Sequence, residues 1–422
     1  MRMNRRAFLK SSGSAAIAAA ALGGCTTVGR ASPRVVVVGG GYGGATAAKY
    51  LKLWGPHLNV TLVERNADFV SCPLSNLVVG GSRTMNDITV SYATLASKYG
   101  IAVVRAEALA VDVDKKVVRL ANGDKLPFDR VILSPGVDFI SGEIPGLADP
   151  LAQQNILHAW KAGPQTLALR RQLEALHDGG VFAISIPTVP YRCPPGPYER
   201  ACQVAHYFKQ AKPKSKVLIL DANPDVTSKP ALFRKAWADM YAGIIEYRPN
   251  SRVVDVDVKT MTAKMEVDDV QADILNVLPP MKAGTIADPF ITANQRWCEI
   301  NWLTYEAKNF PGVHLLGDSL QIAPGMPKSG HMANAHGKTC AAAVLALLAG
   351  EQPNSSPTLN NTCYSFVSPD KAVHVASVHK YDETEKTMKT VPGSGGLSSA
   401  SNELEGQYAM TWAKNIWADA LG

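Results

Sequence analysis

The clearest change of pattern along the chain lies between Arg34 and Leu51. Four consecutive valines (Val35 to Val38) give way to a glycine cluster, and small and apolar residues then recur at helical spacing. A continuous apolar run of this length predicts a strand buried on both faces, followed by a tight turn and a helix. The segment Asn59 to Val63 (NVTLV) predicts the next strand, with Glu64 at its end. From Ala108 to Leu133 the pattern alternates around an Asn122-Gly123 turn, as expected of a small β-meander running into a strand that stops at Pro135-Gly136. A second strand–helix–strand unit follows, with Val181 to Ile186, a helix from about Tyr198 to Lys209, and Lys216 to Leu220 ending in Asp221. The stretch Val253 to Val270 alternates again, and Ala272 to Pro280 echoes the end of the first meander. Val313 to Leu316 then predicts a strand, Gly317-Asp318 its end, and Met332 to Leu348 an apolar helix.

This duplication predicts an α/β protein of two Rossmann-like dinucleotide-binding domains, the second inserted into the first. The first would comprise residues 32–145 and 281–350, and the second residues 146–280. Residues 351–422 would form a separate C-terminal interface region, a Gly/Ser-rich loop followed by a last amphipathic helix, QYAMTWAKNIWADAL.

Gly39, Gly41 and Gly44 have G-x-G-x-x-G spacing between strand and helix. The first glycine permits the turn, the second lets backbone approach a diphosphate, and the third lets the helix pack against the strand. Glu64, 20 residues beyond Gly44, stands where a carboxylate can bind ribose hydroxyls. In the second unit the equivalent turn reads PTVPYRCPPGPYERA, with five prolines. Proline has no N–H to offer a phosphate, so a second dinucleotide is not expected there. Cys193 stands in its place, beside Arg192 and just before a helix N-terminus, both of which favour a thiolate. Glu199 is a candidate proton acceptor near it. The alternatives are a buried structural cysteine and a carboxylate kept only by the helix dipole. Cys202 and Cys340 fall on apolar helical faces and are expected in the core, whereas Cys298 has no evident partner.

Composition and charge add bounds. A chain of 422 residues is long enough for two or three domains. Of the formal charge of +7, five positive charges (Arg2, Arg5, Arg6, Lys10 and Arg30) fall in residues 1–31, which hold no acidic residue; the remainder carries +2 and gives no reason to expect nucleic acid. Residues 1–31 resemble a twin-arginine export signal, with NRRAFLK, an apolar run from Ala15 to Leu22 and small residues up to Ala31. The expected location is therefore the periplasm. Leu22-Gly23-Gly24-Cys25 also resembles a lipoprotein cleavage box, so a lipid anchor at Cys25 is the alternative. Beyond the signal, no apolar run reaches the roughly 18 residues of a membrane span. The seven cysteines include no C-x-x-C and no C-x-x-C-H, which excludes an attached c-type haem, and no histidine spacing suggests a metal site.

Several segments together carry a family resemblance. The glycine turn, SCPLSN around Cys72, YRCPPGPYER around Cys193, Gly317-Asp318, MPKSG at Met326 to Gly330 and LNNTCYS around Cys363 resemble the flavoprotein subunits of flavocytochrome c sulfide dehydrogenases. The resemblance implies FAD held covalently through Cys72, with Gly39, Gly41, Gly44 and Glu64 at its adenosine half, Asp318 at the ribityl chain, and Lys328 close to the flavin or its diphosphate. It implies a redox-active disulfide between Cys193 and Cys363, with Glu199 as the nearby acid/base. Pro73 departs from the larger residue expected after the flavin cysteine. The implied activity is oxidation of sulfide to zero-valent sulfur or polysulfide, with electrons passed to a c-type cytochrome subunit that carries the haem.

Sulfide:quinone oxidoreductase is the alternative, with membrane quinone as acceptor. It should show an apolar membrane-seating surface near the C-terminus, for which only Tyr408, Met410, Trp412, Ile416 and Trp417 are available. A type II NADH dehydrogenase is disfavoured by the proline-filled turn. The presence of Cys72, Asp318 and the glycine turn argues against a flavin-free thiol or metal-binding module.

Overall fold

The computed structural model describes residues 31–422. Residues 1–30, with Cys25 and nearly all of the expected export signal, lie outside the described residues. The elements that position the site are, in the first half, β1 (Arg34–Val38), α1 (Tyr42–Trp54), β2 (Asn59–Glu64), β3 (Ala102–Arg105) and β4 (Arg130–Leu133). The second unit supplies β5 (Val181–Ile186), α2 (Gly196–Ala211), β6 (Lys216–Asp221), β7 (Ile245–Arg248) and β8 (Ile274–Val277). After these come β9 (Phe310–Leu315), α3 (Gly330–Ala349), β10 (Thr358–Phe366), β11 (Ala372–Asp382), β12 (Thr387–Thr390) and α4 (Glu403–Leu421).

The valines of β1 are buried because the strand lies inside a parallel sheet ordered β9-β4-β1-β2-β3, edged by the short antiparallel strand Glu306–Ala307. Strand order reverses between β1 and β4, and the crevice beyond the carboxyl ends of these two strands is where ligands bind in open α/β sheets. A second parallel sheet, β7-β6-β5-β8, is built from the inserted unit. The chain passes between the two through a short antiparallel pair, Val137–Phe139 with Met281–Ala283. Both alternating stretches form three-stranded antiparallel meanders, at Ala108–Pro127 and Val253–Gln271.

The C-terminal part differs from expectation. Residues after Gly350 first form an antiparallel sheet, β10-β11-β12, with Gly396–Leu397 paired to β11. The pattern of β10 hides this strand, because a buried position of its pleat is filled by the polar Asn361 and Cys363 is only partly covered. Nor is this region separate. Lys49 donates to the Ala418 carbonyl (2.9 Å), Tyr50 to Asp419 (2.6 Å), and Trp417 Nε1 to the Tyr42 hydroxyl (3.0 Å), which fastens α4 onto α1. The C-terminal sheet and helix thereby close over the crevice at the glycine turn.

Candidate active site

The glycine turn is built from three different steric requirements. Gly39 has φ of +97°, and a Cβ there would meet the Ser134 carbonyl oxygen at 2.4 Å. A Cβ on Gly44 would meet the Gly39 carbonyl oxygen at 1.9 Å, so the close packing of α1 on β1 depends on its absence. Gly41, the N-cap of α1, is the opposite case. No protein atom lies within 4 Å of its added Cβ, and the residue faces an open cavity. A helix N-terminus that faces open space is a cradle for a diphosphate.

The cavity beyond this turn encloses about 1300 Å³, part of it open to solvent. Gly41, Cys72, Cys193, Glu199, Asp318 and Cys363 all line it. Asp318 enters at the end of β9. Its carboxylate accepts no hydrogen bond from the described residues, which leaves both oxygens free as acceptors for a ligand in the cavity. Burial pushes this carboxyl above its usual range, while Arg192 and Lys328 pull it back. The cradle, the unfilled acceptor and the cavity between them fit FAD.

Glu64 sits beside the turn rather than in the cavity wall. One oxygen accepts the Gly40 N–H (2.8 Å), and the other accepts the backbone and side-chain N–H groups of Asn66 (2.9 and 2.7 Å). It therefore braces the turn. Lys328 corrects the expectation. It is 2 % exposed and its ammonium lies 3.5 Å from the centre of the Trp297 ring. It donates to the carbonyls of Asp318 and Leu320, and so fixes the Asp318 loop from behind instead of facing the cavity.

The three cysteines reach the cavity from distant parts of the chain. Cys72 lies in the loop after the short strand Asp68–Val70, and its sulfur accepts the Ala162 N–H (3.5 Å). Cys193 has a left-handed backbone (φ +57°), held by its N–H on the Lys328 carbonyl (2.9 Å) and its own carbonyl on the Gly196 N–H (2.9 Å). A Cβ on Gly196 would stand 2.9 Å from the Cys193 sulfur, so glycine at the start of α2 leaves room for that atom. Cys363 comes from β10, with the Asn361 amide donating to its sulfur at 3.3 Å. Cys193 and Cys363 both line the cavity but are not bonded to each other, unlike the disulfide that the resemblance implies.

The thiolate expected at Cys193 is also corrected. Burial pushes this thiol up, Glu199 and Cys363 add to the effect, and Arg192 and Lys229 only partly offset it. The guanidinium of Arg192 is itself occupied by the Trp160 carbonyl. Cys202, Cys298 and Cys340 are fully buried in the core.

Glu199, in the first turn of α2, is 7 % exposed. Its carboxylate accepts the Phe366 N–H and the Asn76 amide, each at 2.8 Å. Burial raises its pKa, and these two donors with Lys229 and Arg200 oppose the rise. The orientation of the Asn76 amide follows from Arg200, whose Nε donates to Asn76 Oδ1 (3.0 Å) and turns the NH₂ toward Glu199. Arg200 is itself buried over Trp160 and bonded to Asn276 and to the carbonyls of His158 and Ala159. Asn76, Arg200 and Lys229 escaped the sequence reading. The first two lie inside the segments that resemble the family, but nothing local marks them as partners of Glu199.

Comparison with known proteins bears on this site. The family model for the central part of the sulfide dehydrogenase [flavocytochrome c] flavoprotein chain matches residues 166–279, and that for flavocytochrome c sulphide dehydrogenase, flavin-binding, matches residues 355–421. The pyridine nucleotide-disulphide oxidoreductase model matches residues 33–175. The sulfide dehydrogenase [flavocytochrome c] flavoprotein chain of Chlorobaculum thiosulfatiphilum is 62% identical over 45 residues, covering 94% of that sequence and 11% of this chain. The chain belongs to the flavocytochrome c sulfide dehydrogenase flavoprotein family. This family shares its branch with quinone-linked relatives. The sulfide-quinone reductase of Aquifex aeolicus is 32% identical over 108 residues (26% of this chain, 25% of the relative), and the mitochondrial sulfide:quinone oxidoreductase of Mus musculus is 21% identical over 309 residues (68% and 66%). The sulfide:quinone oxidoreductase structure from Aquifex aeolicus superposes with a TM-score of 0.74 at 18% identity, covering 92% of both chains. The chain thus has the two-domain fold of FAD-dependent oxidoreductases.

Proposed function

We propose that this chain oxidises sulfide to zero-valent sulfur or polysulfide in the periplasm, through a Cys193–Cys363 disulfide and FAD attached at Cys72, and passes the electrons to a c-type cytochrome subunit that carries the haem. The observation that carries this reading is a single cavity lined by Cys72, Cys193, Cys363, Glu199, Asp318 and the glycine turn. Hydrosulfide attacks one sulfur of the disulfide; the Cys–Cys bond breaks, a new S–S bond forms as a persulfide, and the other cysteine leaves as thiolate. Glu199 takes the proton of H₂S: its two N–H donors hold the charged form and its burial holds the neutral one, which suits a group that must cycle between them. Releasing sulfur from HS⁻ yields one zero-valent sulfur, one proton and two electrons. FAD supplies the acceptor for that electron pair and can give electrons up singly, as a haem requires. Gly41 and the start of α1 would hold its diphosphate, Asp318 its ribityl chain and Cys72 its ring.

Nicotinamide chemistry is disfavoured in the second unit. Its turn is filled by prolines, and Asp221 at the end of β6 is taken up by the hydroxyls of Tyr198 (2.6 Å) and Tyr247 (3.1 Å). Delivery to quinone is the second reading, favoured by the similarity to the sulfide-quinone reductase of Aquifex aeolicus. Against it, Trp412 lines the cavity, Trp417 bonds Tyr42 and Ile416 is 5 % exposed, so most of the apolar residues of α4 face inward. Among the described residues no helix is long and apolar enough to cross a membrane. Supplying sulfide with either cytochrome c or a soluble quinone separates the readings. Faster cytochrome c reduction is expected, and preferential quinone reduction would replace the first reading by the second.

A further inference from the structure

Lys229 is a buried cation that the chemistry described so far does not use. It is 4 % exposed, and its left-handed backbone (φ +57°) precedes Pro230 at the start of the helix Pro230–Met240. Buried lysines are ordinarily paired with a carboxylate. Lys229 has no ion pair among the described residues, and the one hydrogen bond of its ammonium there runs to the backbone carbonyl of Cys363 at 3.0 Å. An ammonium carries three donors, so two remain without a protein acceptor. The ionisable groups that act on it are Cys363 on β10, Glu199 on α2, Cys193 in the turn before α2, and Glu405 on α4.

The other cations nearby are already engaged. Arg192 is held by the Trp160 carbonyl, and Arg200 is bonded to Asn76, Asn276, His158 and Ala159. Cys363 also receives the Asn361 amide at its sulfur, whereas Cys193 has no such donor among the described residues and the Glu199 charge opposes its ionisation. The Lys229 ammonium acts on both cysteines, but at Cys193 the Glu199 carboxylate outweighs it, whereas its hydrogen bond fastens it to the Cys363 backbone.

We propose that Lys229 is the buried counter-charge for anionic sulfur at Cys363, a positioning residue that favours the negative charge on that cysteine over Cys193 whenever the bond between them is open. This rests on the reading that the two cysteines cycle between disulfide and dithiol. An ammonium buried without a carboxylate partner is then the cost of having an opposite charge ready before the sulfur becomes anionic.

The test is made on the intact, reduced flavoprotein. Iodoacetamide is applied over a range of pH, and modification of Cys363 and Cys193 is counted separately by peptide mass spectrometry. An opposite charge at close range favours an ionised group by roughly tenfold or more. Lys229→Met should accordingly slow Cys363 alkylation about tenfold at neutral pH and move its pH profile upward, affect Cys193 less than Cys363, and melt no lower than wild type, since an unpaired buried charge has been removed. Lys229→Arg should restore the Cys363 profile. A purely structural lysine predicts the reverse: lower melting and an unaltered profile. Should Lys229→Met not fold, Lys229→Gln makes the same comparison. A Cys363 profile in the folded variant that coincides with wild type overturns the role of Lys229 alone. Failure of the wild-type dithiol to oxidise to a Cys193–Cys363 disulfide overturns the functional reading beneath it.

Discussion

Replacing Gly41 and Gly44 singly by alanine adds the same methyl group to the same turn, and the two variants should behave in opposite ways. At Gly44 the new carbon would stand 1.9 Å from the Gly39 carbonyl oxygen, a backbone atom that cannot rotate away. Carbon–oxygen contacts need about 3.3 Å or more, so helix and strand would have to part by over an ångström. Overpacking of this kind costs about 1–3 kcal/mol and occasionally more, which lowers the melting temperature by about 2–4 °C per kcal/mol in a domain of moderate size. At Gly41 the backbone (φ −69°, ψ −171°) is one that any residue adopts, and no protein atom lies within 4 Å of the new methyl. Alanine there should stabilise the protein by about 0.4–1 kcal/mol by restricting the unfolded chain. The methyl would, however, occupy the space through which the diphosphate reaches the helix N-terminus. Loss of one N–H bond to a charged phosphate costs about 1.5–3 kcal/mol, or roughly 10- to 150-fold in non-covalent flavin affinity. Thermal unfolding and flavin content, compared in a Cys72→Ser background so that binding is reversible, would read both effects. A Gly41→Ala variant that melts as low as Gly44→Ala, or a Gly44→Ala variant that matches wild type in melting and flavin content, would refute the argument.

Acid-precipitated wild-type protein should stay yellow, and Cys72→Ser should release its flavin to the supernatant; free flavin from both would exclude Cys72 as the attachment. Lys328 should make stability depend on pH. Burial draws its ammonium down to about 7 from the ordinary 10.5, with Asp318 opposing. Between these values the unfolded chain binds the additional proton, so native stability is depressed at and below pH 7 and rises as the pH climbs through that window. Melting curves of Lys328→Met should lack this rise, and parallel slopes for the two proteins would contradict it.

Where local pattern carries the information, the sequence was readable. The change from an apolar run to glycines to helical spacing marks β1, the turn and α1, since each step imposes its own residue type. Strand β10 was not readable, because Asn361 and Cys363 take the places where an apolar side chain would reveal the alternation. The setting of Glu199 is set by partners 123 and 167 residues away, Asn76 and Phe366, and no spacing rule spans such separations. For Cys193 the sequence displays the adjacent arginine and the helix end, both of which favour a thiolate. It does not display the burial and the facing carboxylate that outweigh them. Lys328 shows the same limit: its neighbours in sequence border the cavity, yet its side chain turns to Trp297 and two carbonyls behind the loop.

In the proposed reaction sulfide reduces the flavin through Cys193 and Cys363. Adding sulfide anaerobically to oxidised wild-type flavoprotein and to flavin-loaded Cys363→Ser, while following flavin absorbance, tests it most directly. Bleaching is expected in the wild type and none on the same timescale in the variant. Bleaching at the same rate in both would contradict it.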